Sequence, residues 1–126
     1  MRPSTDIEDY HAHVYYDEGS REAAATLREA IENTFEVTMG RWREEPVGPH
    51  PQAMYQVAFK PEVFPQIVPW LMLNHGGLDV LIHPNTGDDV PDHRDFALWL
   101  GNKLPLNIGF LEAFMAKKAA EEAAGS

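Results

Sequence analysis

The 126-residue chain contains no cysteine. That excludes disulfides, a thiolate metal site and a cysteine nucleophile. Cations are scarce, with 10 Lys and Arg against 20 Asp and Glu, for a formal net charge of −10. A phosphate backbone is bound through clustered cations, and no basic run occurs here, so nucleic acid is not an expected partner. The acidity itself speaks mainly for solubility. There is no run of about 18 apolar residues, so no helix is expected to span a membrane. The opening stretch MRPSTDIEDY lacks the apolar core of a secretory signal. The cytoplasm is the default expectation for location.

What the chain does have is histidine: His11, His13, His50, His75, His83 and His93. Its length and its 44% hydrophobic content suit one globular domain over residues 1–126. The ends, 1–8 and 117–126, are polar or Ala/Glu-rich and are expected to be loose or frayed.

The segment YHAHVYY, 10–16, reads as a strand from its β-branched and aromatic content. Residues 20–34 read as a helix, with Ala24, Leu27 and Ile31 on one stripe and Ser20 as N-cap. FEVTMGRW, 35–42, alternates like a second strand, and AMYQVAF, 53–59, like a third. Pro61 and Glu62 open a second helix, in which Pro69 should introduce a kink or delay the start. NHGG ends that helix, and LDVLIH, 78–83, forms a fourth strand. HRDFALWLG, 93–101, reads as a short helix with Phe96 and Leu100 inward, preceded by Asp92 as N-cap; residues 109–122 read as a terminal helix. The order β-α-β-β-α-β predicts an α+β, ferredoxin-like antiparallel sheet with helices on one face, plus C-terminal helices. The expected strand order is 4-1-3-2, with strands one and three parallel.

Side chains alternate across a strand. If Ala12 and Val14 face the helices, His11, His13 and Tyr15 face the open side. The same phase puts His50 and Gln52 on the open side before strand three, and Asp79, Leu81 and His83 there on strand four. On this reading His11, His13, His50 and His83 meet at one corner. His11 and His13 are about 6.6 Å apart along the strand, within reach of one ion whose bonds are about 2.1 Å. Imidazole without thiolate suits iron, zinc, copper or nickel. Asp79 is about 13 Å along the strand from His83, too far to share the ion. Asp88, Asp89 or Asp92 could fold back to complete a two-His, one-carboxylate site, and an all-histidine site fits equally well.

His93 could hang over the cluster as an acid–base group. His75 reads as a solvated helix-end residue, and Trp42, Trp70 and Trp99 read as core or interface. Tyr15, Gln52, Met54 and Gln56 could line a pocket or pack against another subunit. An open face carrying Tyr15, Met54 and Leu81 would leave an apolar patch, which predicts a homodimer.

The blocks YHAHVYYD, VGPHPQAMYQVAF and VPWLMLNHGGLDVLIHPNTGDDVPDHRDFALWLG, in this order and spacing, resemble the DOPA 4,5-dioxygenase family over residues 8 to 108. The resemblance implies extradiol cleavage of a catechol such as DOPA with non-haem iron(II) and O2, although zinc or nickel can occupy such a site during purification. It implies His11, His13 and His83 as metal ligands. His50 would be a fourth ligand or an acid–base group, and His93 the proton shuttle. Tyr15 and Gln52 would meet the substrate, and Arg41 or Arg43 could hold a substrate carboxylate. Two other readings stand beside it: a cofactor-free monooxygenase, which would not need His11, and a non-catalytic module that binds a metal or an aromatic ligand.

Overall fold

The computed structural model describes residues 1–125. A short 3-10 turn, Ser4–Asp6, precedes strand β1, Asp9–Tyr15, and helix α1, Arg21–Thr34. There follow β2, Thr38–Met39; β3, Met54–Phe59; α2, Phe64–Asn74; and β4, Asp79–Asn85. The chain ends with α3, Asp89–His93; β5, Leu98–Leu100; and α4, Ile108–Gly125. Ser126, the last residue of the tail expected to fray, lies outside the described residues. Among the described residues no helix is long and apolar enough to cross a membrane.

The sheet runs β2-β3-β1-β4-β5, which is the expected order 4-1-3-2 with one strand added beside β4. Its helix-side face is apolar because alternate residues of each strand are: Ala12 and Val14, Tyr55, Val57 and Phe59, Val80 and Ile82. They pack on Ala24, Leu27 and Ile31 of α1 and on Ile67, Val68 and Leu71 of α2. Full burial of each large apolar side chain contributes about 1.5–3 kcal/mol, which makes this layer the main source of stability. The polar end of Tyr55 is satisfied inside it by donating to the Ala24 carbonyl at 2.8 Å. Helix α2 starts at Phe64, after Pro61 and Glu62, and continues through Pro69 to Asn74. His75 caps it and donates Nδ1–H to the Leu78 carbonyl at 2.8 Å.

Three expectations are corrected. Strands β1 and β3 are antiparallel, in the register Tyr10↔Phe59 to Tyr15↔Met54. The reason is connectivity: α1 returns the chain so that β2 runs along β1, and the loop after β2 reverses direction before β3 inserts between them. The start of β3 therefore lies at the Tyr15 end of β1, not the His11 end. The second strand is also much shorter than 35–42: regular pairing covers Thr38–Met39, with one further bridge at Arg43↔Met54.

The third correction concerns 93–101, which is not a helix. Leu98–Leu100 pairs with the free edge of β4, in the register Val80↔Leu100, Leu81↔Trp99 and Ile82↔Leu98. The vacant ladder groups of an edge strand attract such pairing. Phe96 is exposed rather than inward, while Leu100 joins the helix-side core. Gly101 ends β5 at φ +80°, where a Cβ would come within 2.6 Å of Asp79 Oδ1. Asp79 uses that oxygen to accept from the Asn102 backbone N–H at 2.7 Å.

The chain then crosses the open face. Tyr15, Met54 and Leu81 are buried there against Ala97, Trp99, Leu104 and Leu106. Residues 97–106 of the same chain thus close the apolar patch on this face.

Candidate metal centre

Register builds the site. His11 lies directly opposite His83 across the β1–β4 ladder, and His13 stands two residues further on the same face. One ring nitrogen from each of these three lies within 4.8 Å of the other two. Nε2 of His13 and Nε2 of His83 are 3.1 Å apart, close to the spacing of about 3.0–3.4 Å that two ligands with bonds of about 2.1 Å subtend at one ion. Among the described residues no carboxylate joins this group. Asp79 is engaged with Asn102, and Asp92 with Thr86.

The protein orients the rings through their other nitrogens. A carbonyl only accepts, so His83 must donate Nδ1–H to Pro84 O at 3.0 Å, which leaves its Nε2 lone pair facing His13. This is the outer-shell bond that sets the tautomer of a metal-binding imidazole. Nδ1 of His13 is buried and has no hydrogen-bond partner among the described residues, and such a group costs about 1–3 kcal/mol. A divalent cation held between Nε2 of His13 and Nε2 of His83 would take up the lone pairs that face one another there. The donor set therefore fits an ion that prefers imidazole.

Electrostatics point the same way. Burial holds His13 well below its ordinary pKa, with His50 and His83 adding to the effect. Burial lowers His83 to about 3 and His50 to about 4, and His93 contributes to both shifts. His11, half-buried, is lowered by burial against the opposing pull of Asp9. These four imidazoles are neutral near pH 7, so they can accept a metal without first losing a proton.

The two remaining candidates flank the cluster. His93 lies tilted against His83, with ring centroids 3.9 Å apart, and donates Nδ1–H to Asp89 O at 2.7 Å, leaving Nε2 as its free acceptor. His50 arrives from the loop before β3, and its ring lies 4.2 Å from that of His13. Its Nδ1 is 2.6 Å from the Tyr15 hydroxyl. Burial pushes the Tyr15 phenol well above its ordinary range. The phenol stays protonated, and donation to Nδ1 places the His50 hydrogen on Nε2. Tyr15 is itself buried and stacks on Trp99 at 5.9 Å. Gln52 donates its amide to the Tyr16 carbonyl at 3.2 Å. Neither lines the cleft that opens beside the cluster. That cleft, of about 250 Å3, is bounded by His13 and His50 together with Arg41, Arg43, Met54 and Gln56.

A supporting pair carries no sequence signature. Asp92 is fully buried and accepts from both the Thr86 backbone N–H at 2.8 Å and its hydroxyl at 2.7 Å. It ties α3, and hence His93, to the end of β4. A Thr six residues before an Asp has no recognisable spacing, and as an expected N-cap Asp92 concealed this role. Asp92→Ala should cost about 2–3 kcal/mol, because the Thr86 N–H loses its partner. Asp92→Asn, which keeps one acceptor, should recover part of that loss. Urea denaturation of the two variants measures both effects, and equal stability of Asp92→Ala and the native chain would refute this role.

The chain is 38% identical over 123 residues to an uncharacterised 21.2 kDa protein of Botryotinia fuckeliana, covering 88% of this chain and 67% of that one. It is 31% identical over 116 residues to a DOPA 4,5-dioxygenase of Amanita muscaria, covering 85% of this chain. It spans only 51% of that relative. A crystal structure of a Nostoc punctiforme protein, provisionally assigned as a dioxygenase, superposes with a TM-score of 0.90 at 54% identity, covering 90% of this chain and 99% of that one. The family model for the Dopa 4,5-dioxygenase family matches residues 10–110, and with three imidazoles converging from β1 and β4 inside that span, the chain belongs to this family.

Proposed function

We propose that the chain is an extradiol dioxygenase that opens the ring of a catechol, DOPA or a related diol, with O2. The observation that carries this reading is the neutral triad His11, His13 and His83, whose nitrogens converge with no carboxylate among the described residues. On this reading the triad holds non-haem iron(II). When bound, the metal would bring the diol and O2 together, so that their reaction becomes a positioned, intramolecular one. The ring bond beside the diol breaks, and both oxygen atoms of O2 enter the product. One ends in a new carboxylate and the other in a new aldehyde, with no external reductant.

The surrounding side chains have separate tasks. The free Nε2 of His93 accepts a catechol proton and returns it as the ring opens. Nε2–H of His50 donates to a substrate oxygen, and Tyr15 keeps that tautomer in place. Gln52 acts one step further out, holding the Tyr16 carbonyl beside the cleft. Trp99, Leu104 and Leu106 exclude water from the Tyr15 side. Arg41 stands at the cleft wall as a substrate-binding group.

Anaerobic loading with Fe(II), followed by a catechol and air, tests this reading. A yellow ring-opened product and stoichiometric O2 uptake are expected only with iron. Turnover without any metal, or none with iron and a panel of catechols, would overturn it. The reading also includes a homodimer, whose contact would now involve the exposed Phe110 and Phe114 of α4. Sedimentation velocity on the same sample checks that assembly, and a monomer would remove it.

A further inference from the structure

Four of the six arginines are engaged by carboxylates: Arg2 by Asp6, Arg21 by Glu44, Arg28 by Glu32 and Arg94 by Asp95. Arg21 and Arg28 also lie over the Trp42 ring. The two left over are Arg41 and Arg43, whose side chains have no ion pair, hydrogen bond or ring contact among the described residues. Both line the cleft beside the imidazole cluster, and no Asp or Glu among the described residues lines it. In a chain of net charge −10, a site lined by two arginines without ionic partners, and by no carboxylate among the described residues, is a local reversal of sign.

The backbone that carries them is pinned. Gly40 N–H donates to Gln56 O at 2.7 Å, and Arg43 and Met54 exchange both backbone hydrogen bonds at 2.9 and 3.0 Å. Gly40 permits this approach, because a Cβ there would meet Gln56 Cβ at 3.2 Å and Gln56 O at 3.3 Å. The arginines are thus rooted on a held segment at the cleft mouth, while His13 and His50 form its buried wall.

We propose that this cleft selects a catechol whose side chain ends in a carboxylate and carries no ammonium, with Arg41 and Arg43 as the specificity-determining residues. The inference rests on the ring-cleavage reading above, since it assumes that the diol lies against the imidazoles. A guanidinium matches a carboxylate in shape as well as charge. An ammonium on the same side chain would face two cations and find no acidic partner on the cleft wall. The preferred substrate class is therefore a dihydroxyphenyl-alkanoate rather than an amino acid or an amine.

The test compares 3-(3,4-dihydroxyphenyl)propionate, its neutral amide, DOPA and dopamine. Equilibrium binding is measured calorimetrically on the zinc-loaded protein, and turnover on the iron-loaded protein. The acid should bind about tenfold more tightly than the amide, with DOPA weaker than the acid and dopamine weakest. In the double variant Arg41→Gln, Arg43→Gln the acid and the amide should come within about twofold, while Arg→Lys at both positions restores part of the preference. A purely structural role for the two arginines would leave the preference intact. Equal affinity for acid and amide in the native protein, a preference that survives the double Gln variant, or no binding of any of the four compounds would overturn the proposal. Preferential binding of the acid with no ring opening would instead refute ring cleavage and leave the charge selection standing. Equal ring opening of acid and amide would do the reverse.

Discussion

His83→Ala is expected to lower ring-opening turnover of the iron-loaded protein on the order of 10³-fold, the loss of several kcal/mol that a displaced metal ligand implies. His83 is the most consequential of the three candidate ligands. It is 1% exposed, its ring is anchored by the Pro84 carbonyl, and its Nε2 faces that of His13. Water cannot replace it without entering the sheet face. His11 is half-buried, so solvent can fill the space left by His11→Ala, and a smaller loss is expected there. Metal content after anaerobic loading and gel filtration, read beside O2 uptake, separates lost affinity from lost chemistry. An His83→Ala variant that keeps both its iron and its turnover would show that the triad is not the metal site.

A second large effect is expected on stability. In the metal-free protein His13, His50 and His83 are buried as neutral rings, whereas in the unfolded chain each titrates near 6.5. Their folded pKa values are lowered, to about 4 for His50 and about 3 for His83. Below pH 6.5 the unfolded state therefore binds more protons than the folded one, and stability falls as pH falls. Above about pH 7.5, where the unfolded rings have also lost their protons, these groups have no further influence. Within the window each ring costs about 1.4 kcal/mol per pH unit, so three together cost on the order of 4 kcal/mol per unit. Between pH 6.5 and 5 the loss is of the order of the whole stability of a small domain. Urea denaturation at pH 7.5 and 5.5 should show a midpoint that drops sharply with little change in slope. Added Zn(II) should move the collapse to lower pH, because protons and metal compete for the same lone pairs. A midpoint that is the same at both pH values would contradict burial of the three rings as neutral groups.

Both expectations trace back to features that differ in how far the sequence reveals them. Strand phase is local. Ala12 and Val14 alternate with His11 and His13, and Val80 and Ile82 with Leu81 and His83, so one face becomes core and the other receives the imidazoles. The β-α-β-β-α-β order then sets β4 beside β1, as found. Pattern and connectivity were thus enough to bring His11, His13 and His83 to one place, together with the α+β class and the resemblance to a dioxygenase family.

Other features depended on which partners were vacant in space. Phe96, Leu98, Trp99 and Leu100 satisfy a helical stripe about as well as a strand, and only the unpaired edge of β4 chose pairing. Only the uncovered Tyr15, Met54 and Leu81 drew residues 97–106 across the open face. The direction of β3 came from the loop that reverses before it, and so His50 approaches His13 and Tyr15 rather than His11. The bond from Asp92 to Thr86, the lowered pKa values of the imidazoles and the two unpaired arginines likewise have no trace in local spacing. A periodic pattern is written in neighbouring residues, while burial and pairing depend on what the rest of the chain leaves open. The sequence by itself therefore determined which residue types could form a metal-binding face, and the tertiary structure decided which of them were dry, oriented and accessible to a substrate.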